Sequence, residues 1–542
     1  MKALELLYEL VAVRSDTGSS YEVALGNKIY EIISQDEFFK ENPQYCGKEV
    51  FGDFLGRPLV WAFKPGKTKQ TVFLSGHYDA VEIESYGTLK EFATKPDELR
   101  EQMKAMDLSG KVREEIITDL NNEDWMFGRG CADMKGGLAV AMEILLSAKD
   151  LDASILFVAV HDEENISAGM RRAMPLVKRL QEQYQMDFKF CLIGEPQIND
   201  PEKSKQVAMY AGGAGKVLPM ILAKGFLSHS AQALEGLNAS YMISEVVREI
   251  ELNTDFISSD YGISVHPPTV LMQKDLKPAY DVSLVEYAMA GINVLFMESI
   301  SPLELMDKVE ASCMIAMEHV AEKYKKAFEQ SEKIGVVKKE QLKNFHPNVM
   351  RLEQLIALVK EKEANFDQIQ TEKNEVLNTK ILNGELTLMQ ASVEYMQDLA
   401  KRSEIKDPFL VIGIAPPYYP AVTSCRLEGG ISRLETLYKE AAKEQGLEGK
   451  VCPYFAGMGD ISYMMCRDSV GQRALMDNLT LPANVYDIPF EEIEALSMPS
   501  FWMGPRSKDI HQWTERVYKP DIQVTLPAMM RYLIEHIVCE ET

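Results

Sequence analysis

The chain is poor in cysteine, with eight among 542 residues and no Cys-x-x-Cys pair. That scatter fits free buried thiols better than thiolate zinc sites or a disulfide scaffold. Basic residues are also in deficit, 58 Lys and Arg against 82 Asp and Glu, for a formal net charge of -24. A chain so acidic argues against nucleic acid and anionic membrane surfaces as partners and leaves small molecules or proteins. Long apolar runs are missing as well. The opening MKALELLYELVAVR interrupts its apolar residues with Glu5 and Glu9, which reads as an amphipathic helix rather than a signal peptide. No stretch approaches the roughly 20 apolar residues of a membrane span, so a cytoplasmic location is expected. Histidine is scarce too, at eight. With cysteine set aside, any metal here must be held by histidine and carboxylates.

What is present is ordinary globular composition, 46% hydrophobic and 26% charged, long enough for two or more domains. The organising stretch is GRGCADMKGG, Gly128 to Gly137, which brackets Asp133 with glycines. Gly128 and Gly130 permit backbone angles and close approaches that other residues resist, and the apolar run Leu138 to Leu146 has helical spacing. Asp133 is therefore expected where a loop enters a helix. A phosphate-cradling loop is the competing reading, but Lys135 precedes Gly136 instead of following a glycine and preceding Ser or Thr.

Taken in order, residues Leu4 to Ile33 have helical periodicity broken by the turn SDTGSS, Ser15 to Ser20. Leu59 to Phe63, Thr71 to Leu74, Ile155 to Val160 and Phe188 to Ile193 are short apolar runs of the kind that form buried strands. Three of them run into GHYD (Gly76 to Asp79), HDEEN (His161 to Asn165) and GEP (Gly194 to Pro196). Each is followed by helical pattern, a doubly wound arrangement with one shared rim, where open α/β sheets collect ligands. Residues 82 to 125 are polar and read as a surface excursion. From about Lys205 the pattern changes to a few strands (Val217 to Leu222, Tyr280 to Leu284, Phe409 to Ile414) and long helices, which suits an inserted α+β domain. Pro302 to Ile405 reads as solvated helices with one buried face and Tyr418 to Val422 as a linker, before the first pattern resumes and ends on a strand, Met498 to Met503, followed by GPRSKDIHQWTE. The predicted architecture is α/β: a doubly wound, three-layer α/β/α domain from residues 1–207 and 419–542, around an inserted α+β domain at 208–418 enlarged by helices.

His77, Asp79, Asp133, Glu163, Glu164, Glu195 and His511 thus collect on one rim. Two histidines and several acids suit a pair of borderline divalent cations, zinc by preference, with cobalt or manganese as alternatives. Two such ions need a bridging carboxylate, for which Asp133 is the natural choice, and they make a bound water acidic near neutral pH. In the adjacent pair Glu163 and Glu164, one acid can bind metal while the other serves as general base. Asp79, two residues after His77, is placed to accept the second imidazole N–H and fix the tautomer. Any one of these features alone is commonly a solvated or satisfied polar group. His161, His266, His319, His346 and His536 lack this setting and are assigned structural or surface roles, with His319 inside an amphipathic helix.

The series GHYDAV, GRGCADMKGG, HDEEN, GEP, KGFLSHS with GLNAS, and GPRSKDIHQWTE resembles the dizinc peptidases and deacylases that include acetylornithine deacetylase, succinyl-diaminopimelate desuccinylase, glutamate carboxypeptidase and aminoacylase. Length and motif variants are most similar to the RocB-like arginine-utilisation branch. The resemblance implies His77 and Glu195 on one metal, Glu164 and His511 on the other, Asp133 as bridge, Glu163 as base and Asp79 behind His77. It also implies a cis peptide after Asp133, a histidine of the inserted domain (His229 by position) reaching the substrate carbonyl, and a homodimer as the available assembly. The family's carboxylate-gripping arginine has no counterpart in GINVLFMES, Gly291 to Ser299. The expected activity is metal-dependent cleavage of an amide bond in an N-acyl amino acid, a dipeptide or an arginine-related amide. A metal-binding but catalytically silent interaction protein on the same fold is the rival, since fold alone never fixes function.

Overall fold

The computed structural model describes residues 1–149 and 151–537. The chain divides into two compact units, the first Met1–Gly213, Val422–Arg467 and Glu491–Thr542, the second Ala214–Ala421 and Asp468–Phe490.

The first unit is built on eight strands: β1 (Cys46–Glu49), β2 (Leu59–Lys64), β3 (Gln70–His77), β4 (Ser154–Val160), β5 (Asp187–Ile193), β6 (Gln206–Tyr210), β7 (Glu448–Cys452) and β8 (Ser500–Trp502). Their order across the sheet is β1-β2-β4-β3-β5-β8-β6-β7. The centre β4-β3-β5-β8 is parallel, while β1 with β2, β2 with β4, and β8 with β6 run antiparallel. Every residue of β3 and β4 is buried, which is why these strands read as unbroken apolar runs instead of alternating ones. Helices Ala3–Val11, Lys135–Ser147 and Leu526–Ile537 pack together, joining a core that includes Leu6, Leu10, Leu138, Met142, Met530 and Leu533. Among the described residues no helix is long and apolar enough to cross a membrane.

A second, four-stranded sheet in the same unit has the order Trp125–Phe127, Arg516–Tyr518, Arg506–Lys508, Gln197–Ile198. Its middle pair is a hairpin that carries His511 in its connecting turn. One outer strand lies just before the Asp133 loop and the other just after Glu195, so this small sheet gathers three predicted ligand segments from distant parts of the chain.

The stretch 82–125 departs from the reading as a polar surface excursion. Its helices Pro96–Ala105 and Glu114–Asn121 bury Leu99, Met103, Ile116 and Leu120 against Tyr86, Trp125 and Phe127, forming a core of their own. The apolar positions are real but lie three and four apart within a charged background, which masks them in a composition-based reading.

In the second unit a six-stranded sheet places Tyr287–Phe296 between Gly215–Val217 and Pro219–Lys224, then Phe409–Ile414 and Val349–Arg351, with Thr269–Asp275 also pairing Tyr287–Phe296. Ala239–Ile250 starts at Asn238, whose side chain accepts the Ser240 N–H. It packs on this sheet and on the long helix Pro302–Lys333. Leu352–Lys362 and Leu388–Arg402 contribute Leu355, Val359, Met396 and Leu399 to the core on Val411. The expected strand Tyr280 to Leu284 is not formed. Tyr280 is 93% exposed, and the Asp281 carboxylate accepts the Ser283 N–H at 2.7 Å and a Lys277 ammonium proton at 2.5 Å, a side-chain-closed turn that competes with sheet pairing. Residues 468–490, left with the first unit by the sequence reading, belong to the second. There Thr480 donates its N–H to the Ile414 carbonyl at 2.9 Å, and its hydroxyl lies 2.8 Å from that of Ser392.

Candidate metal centre

His77 closes β3 and is wholly buried. Asp133 lies in the loop before Lys135–Ser147, Glu163 and Glu164 follow β4, and Glu195 follows β5. The close approach of the Asp133 and Glu195 segments depends on two glycines. A Cβ on Gly137 would overlap the Gly194 carbonyl, and one on Gly194 would stand 2.6 Å from the Gly137 Cα. Gly130 has φ +74°, in the left-handed region, as the loop reading required, whereas Gly128 is not among the positive-φ glycines. The Asp133–Met134 peptide is cis.

The seven rim residues come together. Asp133 stands between the two imidazoles, Oδ1 3.1 Å from His77 Nε2 and Oδ2 3.2 Å from His511 Nε2. Glu195 Oε1 lies 3.6 Å from His77 Nε2, and Glu164 Oε1 lies 2.9 Å from His511 Nε2. Glu163 Oε2 is 4.0 Å from His77 Nε2. One ligand atom each of His77, Asp133 and Glu164 lie within 4.8 Å of one another.

Asp79 does more than face an imidazole. Its carboxylate accepts the backbone N–H of Glu163 at 3.1 Å and of Glu164 at 3.2 Å, and the Thr17 hydroxyl at 2.9 Å. It thereby fixes the turn that bears both glutamates. The atom nearest His77 Nδ1 is the Asp79 main-chain carbonyl, at 3.1 Å, with carboxylate Oδ1 at 3.5 Å. Asp162, just ahead of Glu163, has φ +68°. It is held by Arg57, whose Nη1 donates to Asp162 Oδ1 at 2.7 Å and to Glu22 Oε2 at 2.9 Å, and by its own N–H to Glu22 Oε1 at 3.0 Å.

This donor set fits divalent cations. Among the described residues every ion pair of Asp133, Glu163, Glu164 and Glu195 is to His77 or His511, so four buried or half-buried acids share two imidazoles. Glu195 Oε1 is buried without a hydrogen-bond partner. Burial pushes the Glu163 and Glu195 carboxyls well up, with His77 opposing. Burial alone would lower His77, but its bonds to Asp133 and Asp79 and the Glu195 charge hold it well above its usual value. His511 is pushed up to about 10 by its bonds to Asp133 and Glu164. The acids of this centre call for positive charge.

His229 belongs to the second unit. It is exposed, and its Nδ1 accepts the Ala231 N–H at 3.1 Å at the start of a short helical turn. His161 is buried and neutral, its pKa pushed down to about 3 by burial and the Arg57 charge. His319 lies in Pro302–Lys333, 3.3 Å from Glu249.

Several residues of the centre escaped the sequence reading. Glu515 Oε1 accepts the Ala132 and Asp133 N–H groups at 3.2 and 3.4 Å, while Oε2 takes Arg129 Nη1 at 2.6 Å. Arg129 Nη2 in turn reaches the His511 carbonyl at 3.2 Å. A Cβ on Gly459 would stand 2.6 Å from Glu163 Oε1, and the adjacent Asp460, fully buried, helps to raise Glu163 and Glu195. The signals were a buried-charge complement in RGCAD and TER, and the glycine pair of GMGD, Gly457 to Asp460.

Comparison with known proteins agrees with this geometry. The chain is 32% identical over 542 residues to YqjN of Bacillus subtilis, covering 99% of this chain and 96% of the relative. It is 26% identical to RocB of the same organism, over 98% of this chain and 94% of the relative. Its fold is similar to that of the M20 family metallo-carboxypeptidase Sso-CP2 from Sulfolobus solfataricus, with a TM-score of 0.53, 12% identity and 99% of both chains covered. Residues 73–535 match peptidase family M20/M25/M40, and with relatives similar over nearly their whole length the chain belongs to that family, as a metal-dependent hydrolase of its RocB-like branch.

Proposed function

We propose that the chain hydrolyses the amide bond of a small amino-acid-derived substrate, an N-acyl amino acid, a dipeptide or an arginine-related amide. The observation that carries this is Asp133 set between two imidazoles with Glu163 beside them. His77, Asp133 and Glu195 would hold one cation and Asp133, Glu164 and His511 the other. Zinc is the expected ion, with cobalt or manganese as substitutes. Bound there, the two ions supply Lewis acidity and bring the pKa of a water toward neutrality.

Glu163 is the general base. It accepts the proton of the attacking water as the C–O bond forms, then delivers it to the nitrogen as the C–N bond breaks, so the base is regenerated in each cycle. Asp79 keeps Glu163 at that station through the backbone bond already described. His229 donates to the developing oxyanion, a role that rests on the family resemblance alone. The strand Tyr287–Phe296 carries no arginine, so a substrate carboxylate is gripped by other means or is absent.

Protein stripped with chelator and reloaded with zinc is expected to hold about two ions per chain by elemental analysis. Near-zero uptake by folded protein would remove the basis of the proposal. Because each ion must displace protons from imidazoles held charged by the surrounding acids, affinity is expected to rise with pH and binding at neutral pH to release protons. Calorimetry in buffers of different ionisation enthalpy reads that release, and buffer-independent heats would contradict it. A hydrolysis screen of N-acyl amino acids, dipeptides and arginine amides with the zinc-loaded protein then identifies the substrate class.

A further inference from the structure

His511 differs from the other ligand candidates. It is exposed, it lies in a hairpin turn instead of at a buried strand end, and both it and Asp509 have positive φ, +65° and +56°. Such a turn does not hold its own shape. Residues 84–121, the segment with its own core, supply much of its support, beside Asp200, Trp125 and Arg129. Lys508, the last residue before the turn, places its ammonium 2.8 Å from Glu115, 3.0 Å from Asp119 and 3.2 Å from Asp200. Arg516, just after the turn and wholly buried, donates Nε to Asp119 at 2.7 Å and Nη1 to Asp509 at 2.6 Å. Both cations stack over Trp125. Arg113 pairs with Asp509, and Arg129, which reaches the His511 carbonyl, also donates to the Ser85 hydroxyl at 2.9 Å.

Asp119 is therefore a single carboxylate that takes the cations on both sides of the turn. Arg113 reaches the turn at Asp509, and Ser85 acts on it only through Arg129. We propose that residues 84–121 are a positioning clamp for the His511 turn, built to set the affinity of the second cation, the one shared by Asp133, Glu164 and His511. Asp119 and Arg113 are positioning residues; neither touches the ion. The inference rests on the metal reading above and assigns that reading's weakest ligand to a specific support. Losing a residue that orients a metal ligand typically weakens binding about 10- to 100-fold.

The test is zinc titration of the full chain, following the two ions separately by calorimetry and by elemental analysis after dialysis. Asp119→Asn preserves shape and removes the shared charge, and Arg113→Ala removes an exposed contact with little risk to folding. Both are expected to keep the first ion at wild-type affinity and to weaken the second about 10- to 100-fold. Leu399→Ala opens the core of the second unit without touching the segment or the turn, and is expected to lower Tm while leaving both affinities unchanged. The clamp is overturned if Arg113→Ala and a folded Asp119→Asn bind both ions like wild type, or if Leu399→Ala loses the second ion as readily as they do. Wild-type protein that takes no second ion would overturn the metal reading itself, and the clamp with it.

Discussion

Glu163→Gln is expected to leave metal content intact and to lower turnover by about 10² to 10⁴, the usual cost of losing a general base. The amide matches the carboxylate in shape, and the Glu163 backbone N–H keeps its bond to Asp79, so the turn bearing Glu164 is not disturbed. Glu163 is further from His77, at 4.0 Å, than either Asp133 or Glu195, which is why its loss should spare the ions. Its burial raises its proton affinity, and two nearby cations would bring it back toward neutrality, where a base both accepts and releases a proton. Steady-state rates beside elemental analysis make the measurement. Unchanged turnover would assign the base to another residue, and loss of metal would make Glu163 a ligand. The same pair of readings decides against a catalytically silent protein, which has no rate to lose.

His229→Ala is expected to lower the rate strongly at constant zinc affinity. A donor that meets only the oxyanion favours the transition state without strengthening ground-state binding. The substitution should cost little stability, since His229 is exposed and the bond its imidazole accepts from the Ala231 N–H closes a short turn. If melting temperature falls and the rate of the remaining folded protein does not, the histidine is a cap and nothing more. Mixing decides which chain it serves. Inactive His229→Ala protein is combined with inactive Glu163→Gln protein under exchange conditions. Recovered activity would show that one chain supplies the histidine to the other's metals. No recovery in proven mixed dimers would place it on its own chain.

Much of the catalytic unit was legible because its signals are short and steep. Apolar runs bounded by glycine and ending in His77, Glu163 or Glu195 mark buried strands that stop at a polar rim, and β3, β4 and β5 lie where those runs predicted. Asp133 was legible through the glycines around it. His511 was legible only as part of a motif, since an exposed turn carries no periodicity. What stayed hidden is long-range pairing. Nothing local in Arg57 announces Glu22 and Asp162, and Glu515 lies 382 positions from the Asp133 N–H that it binds. The same limit hid the return of residues 468–490 to the second unit, because Thr480 meets Ile414 through backbone bonds that any sequence can make.

The place of β8 in the central sheet has a bearing on how the chain must be made. This strand lies between β5 and β6, and it arrives in the chain only at Ser500, long after β5 has ended at Ile193. Until it arrives, two inner strands have open flanks of unpaired N–H and C=O groups, and β5 is apolar over Phe190 to Ile193. An open flank of that kind is a template for strands of other molecules. Closing it also requires a loop that spans the whole second unit, a step that is entropically slow. A chain stopped at Ser497 is therefore expected to collect in the insoluble fraction on expression, while one that ends just beyond the last helix stays in solution. A well-dispersed, monomeric 1–497 fragment would show that β5 and β6 can shield themselves. For the growing polypeptide, the hazard lies in the interval between the two segments, which is where holding chaperones would be needed.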